Sequence, residues 1–579
     1  MECFDTKAFA GKALSAIVPI FLLGCSSIPF TPTPALAQSE LPATKASDTQ
    51  SDMDSQLMYE LMIAELAGRR GQLDVAMDGY LRASENTDDP RVSERATRLA
   101  LFGRQWVKAE QAARRWIKLD PGNSEAPQLL AQTLLRQDKT DDVAQLYIEQ
   151  ITASDNRRQA LRDVQVDLQR NEKPQVSVSV MTRLVNAFDN ESEAFLGLAR
   201  AFVANSDTDA ALGAVETAVQ ISPDDTNSLL LRAQILSGTG KPDEAFDSLA
   251  VALASNPDDK NLRLGYAQLL VAGGRYDEVG PVLDRIRTDS ATDPDALLSI
   301  SLLAIESRRI DQARRFLEDL LASGEHADQA NFYLARINDD QQNFAQAISY
   351  YDAVMQSDLQ FTSQLRAAEL TAQIGNLEEG RERLQTLAAS VQNPTVQPRL
   401  VAVESRMLQN ANEDAEALNV LNAGLARYPD DADLLYARAL AANSAGDDTA
   451  MVVDLNRLIE IDSENAHALN ALGYYYADEN IELDLAEELL VKANALLPDD
   501  PAIMDSLGWL RFRQGEYEEA IELLRLAYQQ FPDPEIAAHL GEALWLSGAR
   551  NEARTLIEAA LQSSPGDERL LSVQNNIFK

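Results

Sequence analysis

The chain has 579 residues, with 51 Lys and Arg against 91 Asp and Glu, giving a formal net charge of −40 at pH 7. Phosphate binding needs a basic face, so nucleic acid is excluded as a default partner. Two cysteines and three well-separated histidines (His326, His467, His539) offer too few donors for a metal centre, and no cofactor is expected.

In chain order, residues 1–24 read as an export signal. The apolar run from Ala13 to Gly24 follows Lys7 and Lys12 and is too short to span a bilayer. It ends in Leu22-Leu23-Gly24-Cys25. This resembles the bacterial lipobox, in which the signal peptide is cut before a diacylated cysteine, and the resemblance implies lipidation at Cys25. Ser26 stands where an Asp would mark inner-membrane retention, so the expected location is the periplasmic face of the outer membrane. The alternative is cleavage after Ala35-Leu36-Ala37, which would yield a soluble periplasmic protein. Residues 25–56 are rich in Pro, Ser, Thr and Ala and cannot bury a core. They read as a tether spanning on the order of 30 Å. Cys3 lies within the segment expected to be removed, so no disulfide is expected.

From residue 57 to 565 one spacing recurs at a period of about 34 residues. A small residue opens the second helix of each unit; an apolar residue follows at +4, a small or apolar one at +7, and often proline at +12. Ala211, Val215, Ala218 and Pro223 fit, as do Ala245, Leu249, Ala252 and Pro257. The cleanest copies are Gly508, Gly515, Ala520, Leu524, Ala527, Pro532 and then Gly541, Gly548, Ala553, Ile557, Ala560, Pro565. Residues 155–190 keep the length but not the small residues, and are irregular. Residues 566–579 begin at an Asp N-cap and read as a cap helix, with Leu570, Leu571 and Ile577 apolar. No alternating Val/Ile/Thr segment calls for a sheet. The pattern resembles the tetratricopeptide repeat (TPR). The fold expected is an all-α TPR solenoid, a right-handed superhelix of about fifteen helix pairs.

Some of the acid has a structural role. Pro-Asp-Asp recurs at Pro223, Pro257, Pro429 and Pro498, always between units. There proline ends one helix and aspartate can cap the next. The remainder would steer basic partners and repel anionic ones. Gly238 to Lys241 looks faintly like a phosphate loop, but no strand precedes it and Gly240 falls at an inter-helix turn. No catalytic constellation stands out, so the chain is expected not to be an enzyme.

In TPR proteins the first helix of each unit lines the concave groove with its second, fifth, ninth and twelfth residues. That assigns a partner-binding groove to Tyr436, His467, Asn470, Tyr474, Trp509, Phe512 and Trp545, a hot-spot composition. A tightly wound stack would instead pack these aromatics between units, and that alternative stays open. Trp106 and Trp116 fall at core positions. Arg511 replaces the usual buried aromatic, and the basic clamp of chaperone-type TPRs is missing.

The runs Ala471–Tyr475 (ALGYY), Asp505–Trp509 (DSLGW) and Asp533–Glu542 (DPEIAAHLGE) resemble those of long TPR lipoproteins of Gram-negative bacteria. Among these the chain is similar to the lipoproteins of the LbcA type, the binding partners of the carboxyl-terminal processing protease. The resemblance implies a non-enzymatic adaptor that holds a periplasmic PDZ-serine protease and presents peptidoglycan (murein) hydrolases to it as substrates. The competing reading is a structural assembly factor of an envelope secretion, pilus or polysaccharide system.

Overall fold

The computed structural model describes residues 55–578, apart from residues 171, 172, 392 and 394. The signal segment, Cys25 and all but the end of the tether lie outside the described residues. Among the described residues there are thirty-one α-helices, α1 to α31 in chain order, and no strand. The first thirty alternate as first and second helices of fifteen successive units.

The chain divides into two compact units, up to Phe316 and from Leu317. The first has a continuous core through Leu130, Leu134, Ile151, Leu161, Leu184 and Leu196, all at most 2% exposed. The second is layered, with one cluster around Leu421, Leu455 and Leu469 and another around Leu490, Leu507, Leu524 and Leu540.

The fold depends on small residues at one position of the first helix. Ala199, Ala233 and Ala267 in the first unit, and Ala335, Ala368 and Ala439 in the second, are each at most 1% exposed. Towards the C-terminus the residue shrinks to glycine. A Cβ on Gly473 would stand 2.7 Å from Leu490 Cγ, and one on Gly508 2.8 Å from Leu524 Cγ. Thus α25 (Ala466–Asp478) closes on α26 (Leu483–Leu496), and α27 (Pro501–Gln514) on α28 (Tyr517–Gln530). In residues 155–190 the same position holds Gln165, 4% exposed. Its long side chain keeps α7 (Arg157–Gln169) and α8 (Pro174–Ala187) in light contact only. α8 packs instead against α6 (Thr140–Ala153) and α9 (Ser192–Ala204). The amide of Gln165 donates to the Glu193 carbonyl at 2.9 Å and accepts from Arg200 at 2.7 Å, which satisfies a buried polar group.

The repeated Pro-Asp-Asp segments do cap helices. Asp225, Asp259, Asp431 and Asp500 each accept backbone N–H bonds at 2.9–3.1 Å from the first turn that follows. Turns inside units need a left-handed residue. Gly240, Gly515 and Gly548 supply it, but so do Arg104 (φ 53°), Ser206 (φ 60°) and Gln342 (φ 60°). The longer turn after α25 uses two, Asn480 and Glu482.

At the C-terminus Asp567 caps α31 (Glu568–Ser572), which continues into a single π turn over Val573–Ile577. Leu570 and Val573 are buried against the last hairpin, α29 (Pro534–Ser547) with α30 (Arg550–Ser563).

Candidate protein-binding surface

The residues expected to line the groove fall into two groups. Trp509, Phe512 and Trp545 are 4%, 8% and 8% exposed, so their expected display on an open face is corrected: they are core. His467 is exposed, and Tyr436 and Asn470 are half-buried. Asn470 leaves its Oδ1 buried with no hydrogen-bond partner. Tyr474 is half-buried, and its hydroxyl donates to Glu535 two repeats away at 2.8 Å. Trp116 is buried as expected, whereas Trp106 is half-buried.

The correction has a geometric cause. Glycine at 473, 508 and 541 draws each hairpin tight, and the first helices α25 and α27 then touch directly. Side chains at positions nine and twelve fill the remaining gap instead of facing solvent. Trp509 stacks on Phe512 (centroids 4.7 Å apart) and on His539 (4.1 Å). Its Nε1–H donates to Asp478 at 3.1 Å, and Arg513 lies over the ring at 4.7 Å. Trp545 stacks on Phe578 at 4.5 Å, flanked by Arg550 and Arg554. Arg511, in place of an aromatic, is paired with Glu487, Glu516 and Glu519.

At the centre of this cluster sits a pair that the sequence reading missed. His539 Nδ1 lies 3.0 Å from both carboxyl oxygens of Asp505, and both residues are buried. Burial disfavours charge on the imidazole, but Asp505, Glu535 and Asp478 outweigh it and hold the His539 pKa above its ordinary value. Burial also pushes Asp505 up, opposed by the imidazole. Burial likewise raises the Tyr474 hydroxyl, with Glu535 adding to it. Glu535 would be raised by burial, yet Arg569 and the Tyr474 hydroxyl keep it low. The signal available in the sequence was spacing: Asp505 and His539 are 34 residues apart, one repeat, and so face each other on neighbouring first helices.

Open surface lies elsewhere. A cleft of about 600 Å³ runs along α12 (Pro242–Ser255), lined by Asp224, Glu244 and Asp247 together with Leu229 and Val251. Val251 is 68% exposed. A cleft of about 810 Å³ runs along α20 (Leu377–Ser390), lined by Asp352, Glu379 and Glu382 together with Phe361 and Leu387. The acids occupy matching places: Glu244 and Asp247 stand to Ala245 as Glu379 and Glu382 stand to Gly380. The one arginine in each cleft is engaged, Arg383 by Asp352 at 2.7 Å and Arg232 by Ser248 at 2.9 Å.

Two family models described as tetratricopeptide repeat match this chain, one over residues 236–304 and 511–577, the other over 166–226, 298–358 and 475–535. These segments are tetratricopeptide repeats. A TPR repeat-containing protein of Pseudomonas aeruginosa is 39% identical over 215 residues, which take in 37% of this chain and 36% of that protein's length. Among solved structures, the chain is similar to one of Naa15/Naa10 bound to HypK-THB, at 15% identity and a TM-score of 0.34 over 90% of this chain and 94% of the other. It is also similar to the APC/C hetero-tetramer Cut9-Hcn1, at 15% identity and a TM-score of 0.27 over 79% of this chain and 96% of the other. Trp509, Phe512, His539 and Trp545 lie within the matched segments, and the aromatic cluster belongs to the packing of these helix pairs.

Proposed function

We propose that this chain is a non-enzymatic scaffold that holds proteins of the cell envelope on its TPR surface. In the specific form favoured by its resemblance to LbcA-type lipoproteins, it is lipid-anchored at Cys25 to the outer membrane. It binds a periplasmic carboxyl-terminal processing protease and presents peptidoglycan hydrolases to it. The observation that carries the reading is the pair of matching clefts on α12 and α20, each lined by carboxylates beside apolar side chains. Such a cleft suits a basic segment with apolar anchors. The excess of 91 acidic over 51 basic residues would draw it in at long range. Affinity at contact comes from the apolar lining residues, because an exposed charge pair contributes only ~0–1 kcal/mol.

The test is capture from detergent-solubilised envelopes with the full-length chain. Recovery of a PDZ-serine protease with murein hydrolases supports the adaptor. Recovery of secretion, pilus or polysaccharide-assembly subunits instead would replace it with an assembly factor. Asp247→Lys and Glu382→Lys should reduce capture and flatten its dependence on salt.

A further inference from the structure

One second helix is cut short. Among the described residues every other second helix runs thirteen or fourteen residues, whereas α18 (Phe344–Asp352) stops at nine. A fourteen-residue helix from Phe344 would end at Ser357, and the local sequence allows it. Residues 353–357 are Ala, Val, Met, Gln and Ser, with no glycine or proline to break the helix. Val354 stands seven residues after Ala347, the place that Ala218 and Ala252 hold in their units, and it is fully buried. A longer helix would keep it there.

The helix ends because a side chain of the preceding helix takes its donors. In a continued helix the Met355 and Gln356 N–H groups would bond to the carbonyls of Tyr351 and Asp352. They donate instead to Asp328, in the first turn of α17 (Ala327–Asp340), at 3.1 and 2.8 Å. Burial works against charge on Asp328, yet these two N–H groups and the Ser357 hydroxyl hold its carboxyl below the ordinary value. Met355 is left 62% exposed.

The larger of the two matching clefts lies beside this shortened helix, and Asp352, its last residue, lines it. From α20 come Glu379, Glu382, Arg383, Thr386 and Leu387, the i, i+3, i+4, i+7, i+8 stripe of a single helix face. The cleft therefore follows a helix axis for two turns. Three carboxylates share it with one guanidinium, and Arg383 is already bonded to Asp352 at 2.7 Å and to Glu379 at 3.3 Å. We propose that a basic amphipathic helix of the partner completes this unit, lying along α20 in the place that the last turns of α18 leave. Its Lys or Arg side chains meet Glu379, Glu382 and Asp352, and its apolar side faces Phe361 and Leu387. Asp328 is a positioning residue that holds residues 353–357 aside and keeps the cleft open. This inference rests on the scaffold reading above and gives its partner a chemistry and a conformation.

The probe is a fluorescent peptide of Leu and Lys patterned as an amphipathic helix, titrated against the full-length chain, with amide exchange mapping where it sits. The same peptide with a central proline keeps the charge and loses the helix. The helical peptide should bind and protect residues 377–390, and the proline peptide should bind at least about fivefold more weakly. Glu382→Lys should weaken the helical peptide by a similar factor, since it replaces an attraction with a repulsion. Asp328→Ala should also weaken it, because residues 353–357 then rewind into α18 and gain helical protection from exchange. Glu325→Gln removes a nearby charge without touching those N–H groups and should bind as the wild type does. Equal binding of the two peptides, protection that avoids α20, or wild-type binding by Asp328→Ala each overturns the proposal. So does loss of protection at residues 353–357 in Asp328→Ala. If the peptide fails while the wild-type chain still captures the protease and hydrolases from envelopes, this inference falls and the scaffold reading stands; if both fail, both fall.

Discussion

Trp509→Ala separates packing from partner binding at the C-terminal end. The indole is 4% exposed, lies between the Phe512 and His539 rings, and donates to Asp478 at 3.1 Å. Large-to-small substitution of a buried aromatic costs about 3–5 kcal/mol. Two ring stacks, each contributing about 0.5–1.5 kcal/mol beyond area, and a stranded Asp478 place this site towards the upper end. A loss of about 4 kcal/mol corresponds to a roughly thousandfold fall in protection from amide exchange. Repeats couple mainly to their neighbours, so the fall should be confined to α25 through α29 and leave α11 (Thr226–Gly238) and α12 unchanged. Native-state hydrogen exchange read by mass spectrometry resolves both regions in one sample. Unchanged protection in α27 together with lost capture of a partner would refute the reasoning and return Trp509 to an open groove.

Other consequences follow from the same packing. Gly508→Ala places a Cβ 2.8 Å from Leu524 Cγ and should destabilise by about 1–3 kcal/mol in chemical denaturation, whereas an alanine tolerated without loss would show that the hairpin is looser than described. Arg104→Gly relieves a left-handed non-glycine residue at φ 53° and should stabilise the first unit by about 1 kcal/mol, seen as a higher melting temperature. The raised pKa of His539 means that its charge stabilises the fold fully below about pH 6.5, the free imidazole value, and that this contribution is lost as pH rises through the folded value. Denaturation of the second unit should therefore become easier above neutrality, and His539→Gln should remove that slope; an unchanged slope in the variant would contradict the assignment.

Much of the fold was legible because it repeats. The spacing of Ala211, Val215 and Ala218, or of Ala520, Leu524 and Ala527, specifies a helix contact, and those residues are buried as the spacing requires. The Pro-Asp-Asp caps were legible for the same reason: a local rule recurs with a local cause. The turns were half visible. Gly240 and Gly515 announce a left-handed residue, but Arg104 and Gln342 adopt that conformation because the helices on either side impose it.

The groove was misread because position along a first helix does not fix what covers it. Trp509 and Phe512 stand where a looser stack would show them to a partner, and the glycines at 473, 508 and 541 were read as repeat markers rather than as the cause of closer winding. The Asp505–His539 pair required comparing residues one repeat apart across neighbouring helices, a relation that reading within each unit does not expose.

The central claim is that the chain acts by holding two partners at once. The measurement that tests it most directly is turnover of the captured protease on a captured hydrolase, followed across a wide range of scaffold concentration. Tethering raises effective concentration when each scaffold carries both partners, and separates them when scaffold is in excess. The account predicts a rate that rises and then falls, with no turnover by the scaffold alone. A rate that rises to a plateau and stays there, or cleavage by the purified scaffold without protease, would contradict it.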